Sequence, residues 1–184
     1  MRALAAALSV AALLCTAGSA ARPVKAGHPA PVITHCTGGE RIVYSCQFGR
    51  RIGSVCLGRG TLHYRFGLPG HPAIDVASDA AWSNIHRGAN RSQGGLNQES
   101  IRFTNGTTHY VVHAGETGSL NENPGKRLSG LVVLQGAAGE REVANLTCRE
   151  GSGFNWQALH ALGKAAPRGW DGTEEPGGPF DMVY

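Results

Sequence analysis

Four cysteines behind an export-like leader constrain this chain more than any other feature. Cys36, Cys46 and Cys56 stand ten residues apart, and Cys148 follows about ninety residues later. An even set of cysteines in an exported domain reads as two disulfides, which tie the start of a fold to its end. The leader supplies the context. Met1 and Arg2 form a short basic start, residues 3–14 are an apolar run too short to span a bilayer, and Ala17-Gly18-Ser19-Ala20-Ala21 offers small-residue cleavage sites after Ala20 or Ala21. Leu14 before Cys15 departs from the small residue that a lipoprotein signal wants. The expected organisation is a signal peptide over residues 1–20, a Pro-containing linker over 21–35, a disulfide-tied domain over 36–163 and a Pro/Gly-rich tail over 164–184.

Cleavage leaves roughly 160 residues, one ordinary domain. The formal charge of +4 falls to +3 when Arg2 is removed. The arginines are scattered, where a nucleic-acid binder would show a clustered stripe interleaved with aromatics. No nucleic-acid partner and no membrane span are expected, and no cofactor motif appears. The 27 glycines point to turn-rich β structure.

Alternation places strands at residues 42–48, 52–56 and 61–66, with a short one near Ile74-Asp75-Val76. Residues 77–97 are polar and Gly-rich, with Trp82, Ile85 and Leu96 as apolar anchors, and read as a long surface loop. Asn105-Gly106 between two strand-like runs predicts a type I′ hairpin in which Arg102 faces His109 and Phe103 faces Thr108. Its core face would carry Ile101, Phe103, Tyr110 and Val112. Strands over 128–135 and 141–148 follow. Phe154, Ala158, Leu159 and Leu162 then fall at helical spacing, with Ser152 as N-cap and Gly163 as stop. The expected fold is all-β, an antiparallel sandwich or small open barrel of about seven strands with one C-terminal helix.

Strand register also bears on the disulfides. With a two-residue turn at Gly49-Arg50, Cys46 faces Gly53 and Cys56 faces Val43, so the two sulfurs point to opposite faces. With a three-residue turn they share a face but sit diagonally at a poor distance. Cys36–Cys56 and Cys46–Cys148 is the favoured pairing of three. A four-thiolate zinc site would want paired C-x2-C knuckles, which the sequence lacks.

Several ordered blocks, Ser45-Cys46, Ser54-Val55-Cys56, Tyr64-Arg65-Phe66-Gly67, Arg102-Phe103-Thr104-Asn105-Gly106, Tyr110-Val111-Val112 and Thr147-Cys148, resemble a family of small exported proteins of proteobacteria. That family is uncharacterised. The resemblance implies location and fold and assigns no site residue.

For chemistry, the segment 90–95 stands out. Gly94 and Gly95 permit tight backbone excursions with free N–H groups, and Arg91 adds a charge suited to an anion. Arg102 and His109 form a cross-strand polar pair, and His109 and His113 lie about 13 Å apart on one strand face, too far to share an ion. Arg91, Gly94, Gly95, Arg102 and His109 are therefore the candidate binding residues. A hydrolase would need His71 or His86, Asp75 or Asp79 and Ser83 or Ser92 assembled beside the His109/His113 face, without a Gly-x-Ser-x-Gly elbow to anchor it. Glu99 and Glu116 are the acid pair that glycoside hydrolysis would require, although Glu99 falls on the core face. The reading favoured here is a non-catalytic binding or inhibitor module of the periplasm or secreted space. Its expected partner is an envelope or extracellular protein. The alternative is a small hydrolase.

Overall fold

The computed structural model describes residues 33–149, 153–173 and 180. All of them belong to the second of two compact units, Val32–Tyr184. The expected signal peptide, most of the linker, Ser152 and most of the tail's last eleven residues lie outside the described residues.

Among the described residues, ten strands form two antiparallel five-stranded sheets. The first sheet contains β1 (Arg41–Phe48), β2 (Arg51–Gly58), β3 (Thr61–Leu68), β4 (His71–Ala77) and β10 (Gly153–Phe154), in the order β10-β1-β2-β3-β4. The second is a plain meander of β5 (Ile85–Arg91), β6 (Leu96–Asn105), β7 (Thr108–Thr117), β8 (Arg127–Gln135) and β9 (Arg141–Thr147). Two short helices, α1 (Trp156–His160) and α2 (Leu162–Ala165), follow β10. No helix among the described residues is long and apolar enough to cross a membrane.

The sheets meet face to face through one continuous core. Tyr44 and Tyr64 from the first sheet and Ile101, Phe103, Val112 and Leu131 from the second are fully buried in it. Tyr64 stacks on Tyr110 with ring centroids 5.0 Å apart and tilts against Phe103 at 5.7 Å. The Tyr44 hydroxyl donates to the Gly130 carbonyl at 3.0 Å, giving the aromatic layer a polar tie across the gap.

The disulfides are Cys36–Cys56 and Cys46–Cys148. Phe48 pairs with Arg51, so the β1–β2 turn has two residues and Cys46 faces Gly53 as that register requires. A bulge at Val43 then moves Cys56 opposite Ile42. Cys46 points into the core and reaches Cys148 beyond β9, joining the two sheets. Cys56 lies on the outer face of the first sheet and holds Cys36. Two disulfides point to an oxidising, non-cytoplasmic setting.

Three local expectations are corrected. The β6–β7 hairpin turns at Gly106-Thr107, because Asn105 pairs with Thr108. Gly106 carries φ +60° at the first central position, as a type II′ turn wants, and Asn105 keeps a negative φ in the strand. Arg102 thus faces Val111, and Thr104 faces His109. The core face is unchanged although its pairs shift by two, since Ile101 meets Val112 and Phe103 meets Tyr110.

Residues 77–97 contain β5, a polar edge strand whose pairing with β6 runs from Ile85–Phe103 to Arg91–Asn97. Its charged alternation hid it, because an edge strand gains its ladder from one neighbour and buries only a short apolar end. Phe154 belongs to β10, opposite Tyr44, and the helical stretch begins only after Asn155. The Asn155 side chain accepts the Ala158 N–H at 3.1 Å as the N-cap.

Candidate functional site

The structure separates the predicted binding residues into three places: the outer face of the second sheet, the β5–β6 turn and the inner face. Arg102 and His109 are together on its outer face. The Arg102 guanidinium donates to the Thr104 hydroxyl at 2.7 Å and lies 3.4 Å from His109 Nδ1. His109 Nε2 donates to the Gly136 carbonyl at 2.8 Å, leaving Nδ1 as an acceptor. Phe180 covers both, with its ring centre 3.8 Å from the Arg102 guanidinium and 4.6 Å from the imidazole. This pair is buried beneath the protein's own Phe180. His113 is on the same face, and burial pushes its imidazole down to about 4.

Gly94 and Gly95 are occupied in a different way. Gly95 N–H bonds to the Ser92 carbonyl within the β5–β6 turn at 3.1 Å. The Gly94 and Gly95 carbonyls accept N–H groups from Leu120 and Gly118. A Cβ at Gly94 would lie 2.5 Å from Leu120 Cγ. The glycines therefore allow two loops to pack closely, and the Gly95 amide is spent on the turn rather than offered to an anion.

Arg91 faces the inner side of the second sheet, at the end where the apolar core stops. The row of β6 residues that places Phe103 and Ile101 in the core continues to Glu99 and then Asn97, because side chains on one face recur every second residue. Register sets Ala89 of β5 beside Glu99, and Ala114 of β7 on its other side. Asn97 sits between Arg91 and Glu116 in the same way. Glu99 and Glu116 are therefore diagonal neighbours on one face, with backbones about 7–8 Å apart.

The Glu99 side chain is only 8% exposed and is clamped by two arginines: Arg91 through Oε1, and Arg87 through Oε2 at 3.3 Å. Arg91 itself is 69% exposed, and Glu116 is loosely paired with Arg127 at 3.9 Å. Arg91, Asn97, Glu99 and Glu116 line a cleft of about 280 Å³ whose other wall is α1, through Trp156 and His160. Trp156 is 44% exposed although its ring rests 5.7 Å from that of Phe154.

Trp156 and His160 were missed from sequence. The available signal was their position off the stripe formed by Ala158, Leu159 and Leu162, since a large aromatic off the apolar face of a helix has no core to enter.

The residues named for a hydrolase converge only in part: Asp79, Ser83 and His86 are neighbours, while His71, Asp75 and Ser92 lie elsewhere. Ser83 donates to Asp79, which also accepts the N–H groups of Ala81 and Ser83, each at 2.9 Å, and so closes a turn. Asp75 is bonded to His63 at 2.8 Å and to Arg65 at 3.0 Å on the first sheet. His71 is exposed beside the β3–β4 turn, and the Ser92 hydroxyl donates to the Leu96 carbonyl at 3.1 Å. His86 and Ser83 do share a larger hollow, about 420 Å³, with Trp82 and residues 167–173. Trp170 fills part of its wall, donating its indole N–H to the Trp82 carbonyl at 3.1 Å and packing edge-on against Trp82. Trp82 is fully buried and holds φ +58°, a strained conformation for a bulky residue.

A second charge cluster covers the outer face of the first sheet. Arg65 binds Glu40 through both terminal nitrogens, at 2.7 and 3.0 Å, and Asp75 through Nε at 3.0 Å, and it donates to the His35 carbonyl at 3.2 Å. Its bidentate bond holds the Glu40 carboxyl down at about 2. Cys36, Glu40 and Cys56 lie close enough to suggest a metal set. The two sulfurs are bonded to each other, so they offer no thiolates.

Among known proteins, no family model matches this chain, and neither a curated protein nor a solved structure is significantly similar to it.

Proposed function

We propose that the protein is an exported, non-catalytic binding module that presents the cleft between β5–β7 and α1 to its ligand. The observation that carries this reading is the exposed Trp156 ring lining a cleft that also carries charged and amide side chains, and held there by Phe154 and the Asn155-capped helix. A rigid aromatic beside hydrogen-bonding groups is what a recognition surface needs, since few degrees of freedom are lost on binding. The disulfide-tied scaffold supports the same reading. So does the use of the Asp79 carboxylate to close its own turn, where it takes the Ser83 hydroxyl and two backbone N–H groups.

The periplasm or the secreted space is the proposed location, with residues 1–20 as the removed signal. The proteobacterial exported family is the proposed kinship. Expression in a bacterial host should yield an envelope or medium fraction shortened by about 20 residues at its N-terminus. Retention of the leader in the cytoplasm would overturn the location.

Binding is tested by capture from envelope and culture extracts with the oxidised protein, comparing wild type with Trp156→Ala and Arg91→Ala. A component held by wild type and lost by both variants, with folding intact, supports the module and its surface. Retention by both variants puts the surface elsewhere.

A further inference from the structure

The binding reading leaves open what the cleft recognises, and the composition of its walls narrows the choice. Resting on that reading, we infer that the cleft takes a saccharide, one sugar ring lying against Trp156 with its hydroxyls bonded by Asn97, Glu99, Arg91 and Glu116.

Three properties argue for this chemistry. The first is the pairing of a flat apolar surface with a polar one. Trp156 leaves 44% of its area open and lines the cleft beside an amide, two carboxylates and a guanidinium. A pyranose is built the same way, with axial C–H bonds making an apolar face and hydroxyls ringing its edge. A peptide would put its backbone along a strand edge, whereas here the side chains of β5–β7 point at the ligand.

The second is the mixture of donors and acceptors. A hydroxyl both gives and accepts a hydrogen bond, so a sugar is best met by groups of each kind side by side. Glu99 accepts, Arg91 beside it donates, and Asn97 between Arg91 and Glu116 does both. The clamp of Arg87 and Arg91 fixes the direction of the Glu99 carboxylate before any ligand arrives, which lowers the ordering cost.

The third is charge and size. The cleft is lined by one arginine (Arg91) and two carboxylates (Glu99, Glu116), and each carboxylate is already paired, Glu99 with Arg87 and Arg91 and Glu116 with Arg127. Such a near-balanced site does not favour a phosphate or a polycation over a neutral polar ligand. The volume of about 280 Å³ is just below the usual range for small-molecule sites. It suits one or two sugar rings at the end, or along the side, of a longer chain.

The test is calorimetric titration of the oxidised full chain with chitotriose, cellotriose and maltotriose, with inorganic phosphate and a neutral tripeptide as controls. Each trisaccharide is also checked for cleavage by chromatography. The expected result is saturable binding of at least one trisaccharide. Binding should weaken at least tenfold in Trp156→Ala and Asn97→Ala and stay within about threefold of wild type in Trp156→Phe, which keeps a ring. Trp156 is half exposed, so its variants should melt as wild type does, and a thermal melt of each confirms that comparison.

Failure of all three sugars, alongside a captured component that still depends on Trp156, overturns the saccharide class and leaves the binding module standing. Sugar binding indifferent to Trp156→Ala overturns the site. Cleavage abolished by Glu99→Gln or Glu116→Gln keeps the saccharide class and overturns the non-catalytic reading. Stronger binding of phosphate or of the tripeptide overturns the inference in favour of that chemistry.

Discussion

Two clusters of arginine and carboxylate, one on each sheet, are made of the same chemistry and are built for different ends. On the first sheet, Arg65 is about nine-tenths buried and uses its fork on Glu40, Asp75 and a carbonyl. The chain segment that supplies Glu40 and His35 is pinned in place by Cys36–Cys56. On the second sheet, Glu99 is buried but Arg91 is open to solvent, and the cluster borders a cleft beside an exposed tryptophan. The lesson is that a charge cluster with every donor spent holds a structure together, and one with an open member at a cavity is available to a ligand. Residue type alone does not distinguish them.

The comparison can be broken most severely at the bond the two regions depend on in common. Cys46–Cys148 joins β1 to the end of the second sheet and closes a loop of 102 residues. Replacing both cysteines with alanine is expected to cost about 4.7 kcal/mol on the chain-entropy account, read as a lower denaturation midpoint with a steeper slope, because the uncrosslinked unfolded chain exposes more surface. A loss below about 1 kcal/mol would mean that the core alone holds the sheets together.

Next comes the contrast itself. Arg65→Ala leaves Glu40 without its bidentate partner in a buried site, a change of about 3–5 kcal/mol. If Arg65→Ala unfolded no more easily than an Arg91→Ala control, the assignment of a structural role to the first cluster would fall.

Acid titration separates two contributions of similar size. Glu40 is lowered from 4.5 to about 2, so its stabilisation is complete above its unfolded value and is lost as pH falls from there towards 2. His113 is lowered from 6.5 to about 4, so the unfolded chain takes up its proton first and stability falls between those values. Each is worth roughly 3 kcal/mol at most. Stability measured against pH should thus decline in two windows. His113→Gln should remove the upper one and Glu40→Gln the lower. A single decline insensitive to His113→Gln would contradict the burial argument.

Between the sheets, the Tyr64 hydroxyl is buried without a hydrogen-bond partner among the described residues. Tyr64→Phe removes that unsatisfied group while keeping the ring contacts, and should stabilise the fold by about 1 kcal/mol. A destabilised variant would reveal a partner for the hydroxyl. Smallest of all, Arg91→Ala should change stability by less than about 1 kcal/mol, because the residue is largely solvated. Its effect belongs in ligand binding.

Much of the fold was legible because it rests on period-two patterning. The strand runs at residues 42–48, 52–56 and 61–66, the core face of Ile101, Phe103, Tyr110 and Val112, and the separation of Cys46 from Cys56 all follow from which side chains share a face. What escaped were features set by neighbours. β5 reads as a polar loop because His86, Arg87 and Arg91 carry no apolar stripe, and only its ladder with β6 makes it a strand. The shift of the hairpin from Asn105-Gly106 to Gly106-Thr107 changes the partners of Arg102 and His109 without changing which residues are buried. Hydrophobic pattern is blind to it.

The sequence by itself pointed to a disulfide-tied β protein and set Cys46 and Cys56 on opposite faces, because alternation fixes faces; Cys36–Cys56 with Cys46–Cys148 was the favoured pairing, and the packed sheets decided it. It could not decide that Arg102 and His109 lie beneath Phe180, or that Arg91 meets Glu99 in a cleft walled by Trp156. Those juxtapositions join segments tens of residues apart. They arise only when the sheets, the helices and the C-terminal segment have packed, since local periodicity says which way a side chain points and not what is waiting there.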